Sequence, residues 1–423
     1  MAELETPTEN QLQQQFALAV ERFEAGDISG AQTVLEDMLT KVPDHPQILN
    51  YLAVTAHLSG DHVRAQALLT NVLKIMPDFF DAWNNLGLVS FVQGNHEAAA
   101  DAFKRAGRLE PNAADPIINL AHAFHAEERC NEAVEAYGRG LAMQPNHPSA
   151  WTALCRALIE EGRWEEAVAA ADQQLTLRPG HTVALALKSV ALQELGENEA
   201  LRELIDFDRL IECVDIDVPA GYADLVSFNQ ALVDFCQKHR SFKYAPSDKA
   251  TEFGFQTNNL AAEADSPVAD LLAAVGKCAE LYRTKRPLSS DHPFLSQRPD
   301  NWQYDIWATA LESGGHQQSH IHRAGWLSGV YYAQKPKVIN ANMPAPDMAG
   351  WIEFGRPVFY PKAQAEPVTR CYPPIEGRLY LFPSYFYHRT LPFFSETRRI
   401  SIAFDLRDNP VTRQVPFIDY VDG

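Results

Sequence analysis

Two histidines stand one residue apart in the stretch SHIHRAGWLSGVYY, and a third closes the stretch LYLFPSYFYH. His320 and His322 precede an apolar run with the composition of a strand, while His388 follows another such run. Side chains two positions apart on an extended segment share a face, so the first two rings point the same way. Imidazole nitrogens are common metal ligands. The three histidines are therefore a candidate metal site.

A second group of polar residues follows in the segment RRISIAFDL. Arg399 comes eleven residues after His388, and Ser401 follows it two positions later. On an extended strand Arg399 and Ser401 share one face, whereas Arg398 lies on the other face. Only one of the two adjacent arginines can therefore point into the interior.

Each of these features also has a plain structural explanation. A lone HxH pair is weak evidence for a metal, and His316, His320 and His322 would equally suit a polar loop. Arg398 and Arg399 would suit a charged edge strand. The HxH, SGVYY, FPS-x3-H and RRIS segments nevertheless occur in order and in strand-like context, which favours a functional site over coincidence.

The elements that position these residues change character after Pro287, where short runs of period two begin. Strands are predicted over 302–311, 325–333, 350–360, 377–384 and 398–406. Upstream, 219–245 predicts a helix followed by a loop, and 266–285 predicts a helix with Ser266 as N-cap and Pro267 at its first position. Many short strands behind helices are typical of a small jelly-roll or barrel. The aromatic group Trp302, Tyr304 and Trp307 is predicted to be core, with room for one member at a substrate mouth.

The first half of the chain repeats with a period of 34 residues. Proline marks each period at Pro43, Pro77, Pro111, Pro145 and Pro179, and glycine does so at Gly26, Gly60, Gly94, Gly162 and Gly196. Glu128 occupies the one glycine position that is missing. An alanine follows five residues after each of the first five positions, at Ala31, Ala65, Ala99, Ala133 and Ala167. Each period predicts two amphipathic helices that the proline ends. The small Gly87 and Ala99 let the two helices of one unit approach closely.

This pattern resembles the tetratricopeptide repeat (TPR) over about residues 12–179, with a degenerate sixth unit near 182–205. One unit cannot bury its apolar face alone, so the units must stack into a superhelix. The resemblance implies that a peptide or protein partner binds in the concave groove; the alternative is that the array only scaffolds or dimerises the chain. Trp83 and Trp151 fall at the family's aromatic core position, so they are predicted to be packing residues.

Residues 300–406 resemble the iron(II)/2-oxoglutarate-dependent oxygenases, and their bacterial branch in particular. GVYY, the FPS-x3-H segment and Arg399-Ile-Ser401 carry the resemblance. The combination with TPRs is similar to aspartyl/asparaginyl β-hydroxylases and collagen prolyl hydroxylases. The resemblance implies a double-stranded β-helix that binds Fe(II), 2-oxoglutarate and O₂, and a guanidinium that holds the remote carboxylate at two points. The residues it implies are His320, His322 and His388 for the metal, and Arg399, Ser401 and Tyr332 for the cosubstrate.

The chain departs from that family at one position, where His322 replaces the expected carboxylate. Three arrangements are open: a three-histidine site, iron held by His320 and His388 with water, or a carboxylate from elsewhere such as Glu353. We adopt the three-histidine arrangement. The departure also leaves open a protein that has lost catalysis.

Composition limits the function further. The 423 residues carry a formal net charge of −19, which argues against a nucleic-acid or anionic-membrane surface. Six scattered cysteines without a CxxC pair fit a reducing compartment. The acidic, polar N-terminal stretch does not resemble a secretory signal, and no apolar run is long enough to span a bilayer. We expect a cytoplasmic protein, and the oligomeric state stays open.

These observations predict an α+β multidomain chain. We expect an N-terminal tail over 1–11, an all-α TPR superhelix over 12–205, a helical connector that starts the oxygenase domain over 206–290, and the double-stranded β-helix (jelly-roll) core over 291–423. The expected activity is hydroxylation of a C–H bond, with the substrate a peptide or protein side chain recruited by the TPR array. The alternatives are a TPR adaptor with a non-catalytic jelly-roll, and a three-histidine metal dioxygenase that does not use 2-oxoglutarate.

Overall fold

The computed structural model describes residues 9–244, 249–289, 291–342 and 347–408. The chain divides into two compact units, one that runs to Ala157 and one that runs from Leu158 to Asp419. Most of the predicted N-terminal tail lies outside the described residues, and the first helix already begins at Glu9. In the part of the chain that is described, no helix combines the length and the apolar character that crossing a bilayer requires.

The first unit is built from successive helix pairs, each pair separated from the next by a proline-containing turn. The helices are α1 Glu9–Glu24, α2 Ile28–Lys41, α3 Pro46–Leu58, α4 His62–Ile75, α5 Phe80–Val92, α6 His96–Leu109, α7 Ala114–Ala126, α8 Cys130–Met143 and α9 Ala150–Glu160, which contains the boundary between the units. Within each repeat, α1 packs on α2, α3 on α4, α5 on α6 and α7 on α8. The helical repeats are thus present as the 34-residue period predicts.

Backbone conformation explains the recurring glycine. The residues at this position all have positive φ, with values between 71° and 85° for the glycines and 59° for Glu128. The recurring alanines, namely Ala31, Ala65, Ala99, Ala133 and Ala167, are 0% exposed, so each period buries the same small side chain. At Gly87 an added Cβ would overlap the ring of Phe103. The two helices of that unit therefore approach as closely as the sequence predicts.

The second unit contains seven helices among its described residues, followed or interrupted by strands. They are α10 Trp164–Leu177, α11 Thr182–Leu195, α12 Asn198–Leu204, α13 Phe207–Leu210, α14 Leu225–Lys238, α15 Pro267–Lys285 and α16 Pro293–Ser296. Helix α15 begins as predicted, because the Ser266 hydroxyl accepts from the amide of Ala269 at 3.3 Å and Pro267 occupies the first turn.

Ten antiparallel strands form one sheet in this unit. They are β1 Glu212–Asp215, β2 Lys243–Tyr244, β3 Thr251–Gln256, β4 Trp302–His320, β5 Leu327–Gln334, β6 Ile352–Phe354, β7 Arg370–Tyr372, β8 Arg378–Pro383, β9 His388–Thr390 and β10 Arg399–Asp408. The strand order is β1-β8-β5-β10-β4-β9-β6-β7, with β3 paired to β4 and β2 to β3. Strand β4 pairs with β10 along its first half and with β9 at its end.

The sheet curls into a half-barrel, which confirms an antiparallel, sheet-rich domain after the helical repeats and leaves closure into a jelly-roll a prediction. The segment 206–290 contributes strands β1–β3 as well as helices, so it is more than a helical connector. The predicted strand 350–360 is reduced to β6, because Gly355 turns with φ 94° and Pro357 follows it. In contrast, β4 continues nine residues beyond the predicted end at Leu311.

One face of the sheet packs against helix α14. The ring of Tyr331 on β5 lies 6.2 Å from that of Phe228, and its hydroxyl donates to Asn229 Oδ1 at 2.6 Å. Ile400, Ile402 and Phe404 on the central strand β10 are fully buried. Because side chains alternate along a strand, this packing directs the intervening residues of β10 to the opposite, concave face.

Candidate metal and cosubstrate site

The three predicted histidines come together at one end of the concave face. His320, the last residue of β4, pairs in register with His388, the first residue of β9. His322 follows two residues after the end of β4. Ring centroids are separated by 4.3 Å for His320 and His388, 4.9 Å for His322 and His388, and 5.2 Å for His320 and His322. One nitrogen from each ring lies within 4.8 Å of those of the other two.

Hydrogen bonds select which nitrogen of each ring is available. Nδ1 of His320 donates to the carbonyl of Gln318 at 2.7 Å, and Nδ1 of His388 donates to the carbonyl of Phe386 at 3.0 Å. Nδ1 of His322 donates to the carboxylate of Asp405. With Nδ1 protonated in all three rings, Nε2 keeps its lone pair. This is the pattern in which metal-binding histidines are usually held.

Burial also keeps two of the rings uncharged. It lowers the pKa of His320 to about 4, and the neighbouring His322 adds to that effect. Burial likewise lowers the pKa of His388 well below its usual range, with both other histidines contributing. Neutral imidazole is the form that binds a metal, so two of the three rings are in that form at neutral pH.

A buried cation lies further along the same face of β10. Arg399 is 1% exposed, and its Nε and Nη1 atoms have no hydrogen-bond acceptor among the described residues. Its guanidinium lies over the ring of Tyr332, 4.8 Å from the centroid. A buried charge without a partner is costly, so this guanidinium calls for an anion that the described residues do not supply.

Hydroxyl-bearing residues follow Arg399 on the same face of β10 and on the two neighbouring strands. Ser401 is buried and pairs in register with Tyr332 on β5 and with Thr309 on β4. The hydroxyls of Tyr332 and Thr309 are buried without a hydrogen-bond partner among the described residues. Burial raises the pKa of Tyr332, so its hydroxyl stays protonated and can donate. The group offers a guanidinium and neutral hydroxyls to one anionic ligand.

A small residue and a large ring lie near this site, at the positions of β10 and β4 between Arg399 and Asp405. Ala403 is half-buried, although Ser401 and Asp405 on either side of it along the same face are buried. Trp307 lies opposite Ala403 on β4, and its ring centroid is 5.5 Å from that of His322. Trp307 is therefore the member of the predicted aromatic group that lies beside the histidines.

The structure places the remaining candidates elsewhere. Arg398 faces away from the site, with its guanidinium 2.7 Å from Glu312 and 4.6 Å from the ring centroid of Phe255. Tyr331 points to helix α14, which leaves Tyr332 as the tyrosine on the concave side.

Glu353, the alternative carboxylate ligand, also lies away from the histidines. It accepts from Arg356 at 3.1 Å and from Arg389. Its neighbour Phe354 faces the opposite way, with its ring 5.9 Å from that of His388. The strand alternation of β6 thus gives the histidine side to Phe354 and the outer side to Glu353.

Sequence reasoning missed Asp405, Ser328 and Thr309. Counting in steps of two from Arg399 along β10 leads through Ser401 and Ala403 to Asp405, so the period of the strand contained the signal for that carboxylate. Ser328 and Thr309 become visible only through the register of the neighbouring strands, which a single sequence does not reveal.

Comparisons with known proteins match separate parts of the chain to two kinds of family. Residues 305–405 match the family described as "Putative 2OG-Fe(II) oxygenase". Residues 16–70, 59–114 and 124–190 match tetratricopeptide repeat families. No curated protein matches the chain.

Solved structures resemble the helical part of the chain. A crystal structure of MamA is 24% identical, with a TM-score of 0.35, and the match covers 38% of this chain and 93% of that one. The pilF protein of Pseudomonas aeruginosa is 17% identical, with a TM-score of 0.43 and coverage of 47% and 90%. YrrB, titled a TPR protein with an unusual peptide-binding site, is 20% identical, with a TM-score of 0.38 and coverage of 41% and 91%. The chain is a fusion of tetratricopeptide repeats with a C-terminal domain that matches the family described as "Putative 2OG-Fe(II) oxygenase".

Proposed function

We propose that the chain is an Fe(II)/2-oxoglutarate-dependent dioxygenase that hydroxylates a C–H bond of a peptide or protein side chain. The observation that carries the proposal is the guanidinium of Arg399, buried without an acceptor on the strand face that also bears Asp405, the partner of His322. A dicarboxylate that binds a metal at one end needs such a cation at the other end.

The residues present fit this cofactor set. His320, His322 and His388 would hold Fe(II) through Nε2, which leaves coordination positions for 2-oxoglutarate and O₂. When bound, the iron activates O₂, and 2-oxoglutarate is converted to succinate and CO₂ as the substrate is hydroxylated.

The protein's own groups bind and orient the cosubstrate. Arg399 is placed to bind its remote carboxylate through two N–H groups, and Ser401 and Tyr332 to donate to the same oxygens. The small side chain of Ala403 leaves room between the two ends of the ligand. The ring of Trp307 borders this space beside His322 and limits the entry of water.

The strand order supports closure into a double-stranded β-helix. The first half of β4 with β10, β5 and β8 makes one group of four strands, and the end of β4 with β9, β6 and β7 makes a second group. We propose that these groups are the two sheets of the jelly-roll, continuous through β4. In that arrangement His320 lies where β4 passes from one sheet to the other, which brings residues of both sheets to one point.

The first unit supplies the proposed partner site. A groove of about 760 Å³ is lined by Trp83 and Leu86 from α5 and by Lys104, Arg105 and Arg108 from α6. The Trp83 indole N–H donates to the carbonyl of Pro77 at 2.7 Å, which fixes its ring as a packing residue. Lys104 and Arg105 form ion pairs with Asp101 and Asp78, so Arg108 is the basic lining residue that has no ion pair among the described residues. We propose that Arg108 binds an acidic group of the peptide.

The test is succinate formation by purified protein supplied with Fe(II), 2-oxoglutarate and O₂. We expect turnover in the wild type and none in His388→Ala. The matched control is His316→Ala, since His316 lies on β4 as His320 does, but it contacts Glu252 and lies outside the group of three. The assignment would be contradicted if both variants lost turnover equally, or if neither variant lost turnover.

The three-histidine set also favours a second candidate, a metal dioxygenase that does not use 2-oxoglutarate. Arg399→Ala separates the two. In the proposed enzyme it abolishes 2-oxoglutarate binding while metal binding is retained, whereas Arg398→Ala, which removes a guanidinium from the other face, changes neither. Oxygen consumption without 2-oxoglutarate would favour the second candidate, and a protein that binds no iron would favour the adaptor.

A further inference from the structure

The three histidines differ in what holds them. His320 and His388 each donate Nδ1–H to a backbone carbonyl two residues earlier in the chain, which is a neutral acceptor. His322 donates instead to Asp405, a carboxylate that is 9% exposed. One histidine in the group is therefore paired with a negative charge, and the other two are not.

Asp405 is held in place by hydroxyl groups. Ser328 donates to Asp405 Oδ1 at 2.6 Å, and its oxygen lies 2.7 Å from that of Ser384. No Lys or Arg side chain among the described residues forms an ion pair with Asp405, whereas the nearby Asp305 is paired with Arg407. The charge of Asp405 is therefore directed to the imidazole and is not neutralised by a cation.

This arrangement bears on the missing ligand. A site of two histidines and one carboxylate brings one negative charge to Fe(II), whereas three neutral histidines bring none. A carboxylate that accepts from the far nitrogen of a ligating histidine fixes the tautomer and makes the metal-facing nitrogen more electron-rich. Asp405 stands in that relation to His322, the residue that occupies the position of the family's carboxylate ligand.

We propose that Asp405 is a positioning residue that supplies, through His322, the negative charge that a carboxylate ligand would bring directly. The inference rests on the proposed function, since it concerns the same metal site. The site would then be a three-histidine site whose negative charge lies on Asp405, which is hydrogen-bonded to His322.

Manganese titration tests the proposal without turnover. Mn(II) replaces Fe(II) because it does not oxidise in air, and free Mn(II) is counted by its EPR signal. We expect Asp405→Asn, which keeps the shape and loses the charge, to weaken Mn(II) binding by about tenfold or more. Ser328→Ala, which keeps the carboxylate, should change the affinity by less than about fivefold, because Ser328 acts on the imidazole only through Asp405. Asp305→Asn is the control carboxylate and should bind as the wild type does.

The outcomes separate the two proposals. If Asp405→Asn binds Mn(II) as tightly as the wild type, the inference is overturned and the metal site stands. If the wild type itself binds no Mn(II), the proposed function fails and the inference falls with it.

A measurement on the wild type covers the case in which Asp405→Asn does not fold. The ¹⁵N shifts of His322 in histidine-labelled, metal-free protein should show Nδ1 protonated and Nε2 free. An Nε2–H tautomer would overturn the inference whatever the variants do.

Discussion

Two adjacent arginines show how environment decides the role of a residue. Arg398 and Arg399 have the same chemistry, yet the first forms an ion pair with Glu312 at the sheet surface and the second is buried without an acceptor. The sequence predicts that they face opposite ways, because alternation along a strand is a local property. It does not predict which one is buried, because that depends on the helix and strands packed against β10.

Ala403 gives a prediction at this scale. Ala403→Leu places a branched side chain between the histidines and Arg399, so it should raise the KM for 2-oxoglutarate at least about tenfold by steric exclusion. Mn(II) affinity should stay within about threefold, because the histidines are untouched. Ala403→Ser, which is nearly the same size, should behave as the wild type. A Leu variant with an unchanged KM would show that the cosubstrate does not occupy this space.

A buried histidine in the first unit predicts a pH dependence of stability. His122 accepts or donates a hydrogen bond with the Tyr137 hydroxyl at 2.7 Å, and burial lowers its pKa to about 3. Between about pH 6.5 and pH 3 the His122 imidazole is therefore protonated in the unfolded chain and neutral in the folded chain. Over this window the free energy of unfolding falls by about 1.4 kcal/mol for each unit by which the pH is lowered. Thermal melts at pH 7 and pH 5 should show a smaller acid shift in His122→Gln, and an equal shift would exclude His122 as the cause.

At the scale of the element, the helical repeat is the part that the sequence predicts best. Its helices, glycine turns and terminating prolines depend on contacts within about 34 residues, and the Trp151 indole even repeats the Trp83 contact by donating to Pro145 at 2.8 Å. The strands are harder, because their ends depend on partners far along the chain. Thus β4 exceeds its predicted length where β9 and β3 pair with it, and β6 falls short.

The exceptional turn residue gives a prediction for the repeat. Glu128 is exposed and holds φ at 59°, a conformation that costs a side-chain-bearing residue about 1 kcal/mol. Glu128→Gly should therefore raise the melting temperature of the helical unit by roughly 2–4 °C. Glu128→Ala removes the same carboxylate and keeps the Cβ, so it should give no such gain. A gain with alanine would assign the effect to charge and not to the backbone.

At the scale of the whole molecule, each compact unit has its own candidate role: recruitment in the helical unit and chemistry in the sheet unit. The sequence predicts two parts, because the 34-residue period ends before the period-two runs begin, whereas the boundary between the compact units lies earlier, between Ala157 and Leu158. The sequence predicts the residues of the candidate site less completely. Its three histidines, arginine and serine have roles that the motifs suggest, whereas the contact of Ser328 with Asp405 depends on the pairing of β5 with β10.

The proposed division of labour gives a prediction for the groove. Arg105→Glu combined with Arg108→Glu reverses two charges on α6, so it should reduce hydroxylation of protein substrates, measured as +16 Da products by mass spectrometry of treated lysate. Succinate formed without substrate should stay within about twofold of the wild type, since both residues belong to the first unit. Loss of both readouts would contradict separate roles for the units.

Strand β9 is only three residues long, and its first residue is one of the three histidines. A strand that short forms few backbone hydrogen bonds with its neighbours, so its amide hydrogens should exchange readily in the apoprotein. An ion bound to both His320 and His388 would link β9 to the end of β4 and would slow this hydrogen exchange. The metal would then act as a structural crosslink for the strand that presents it, and chelation would loosen the sheet around β9 as well as end turnover.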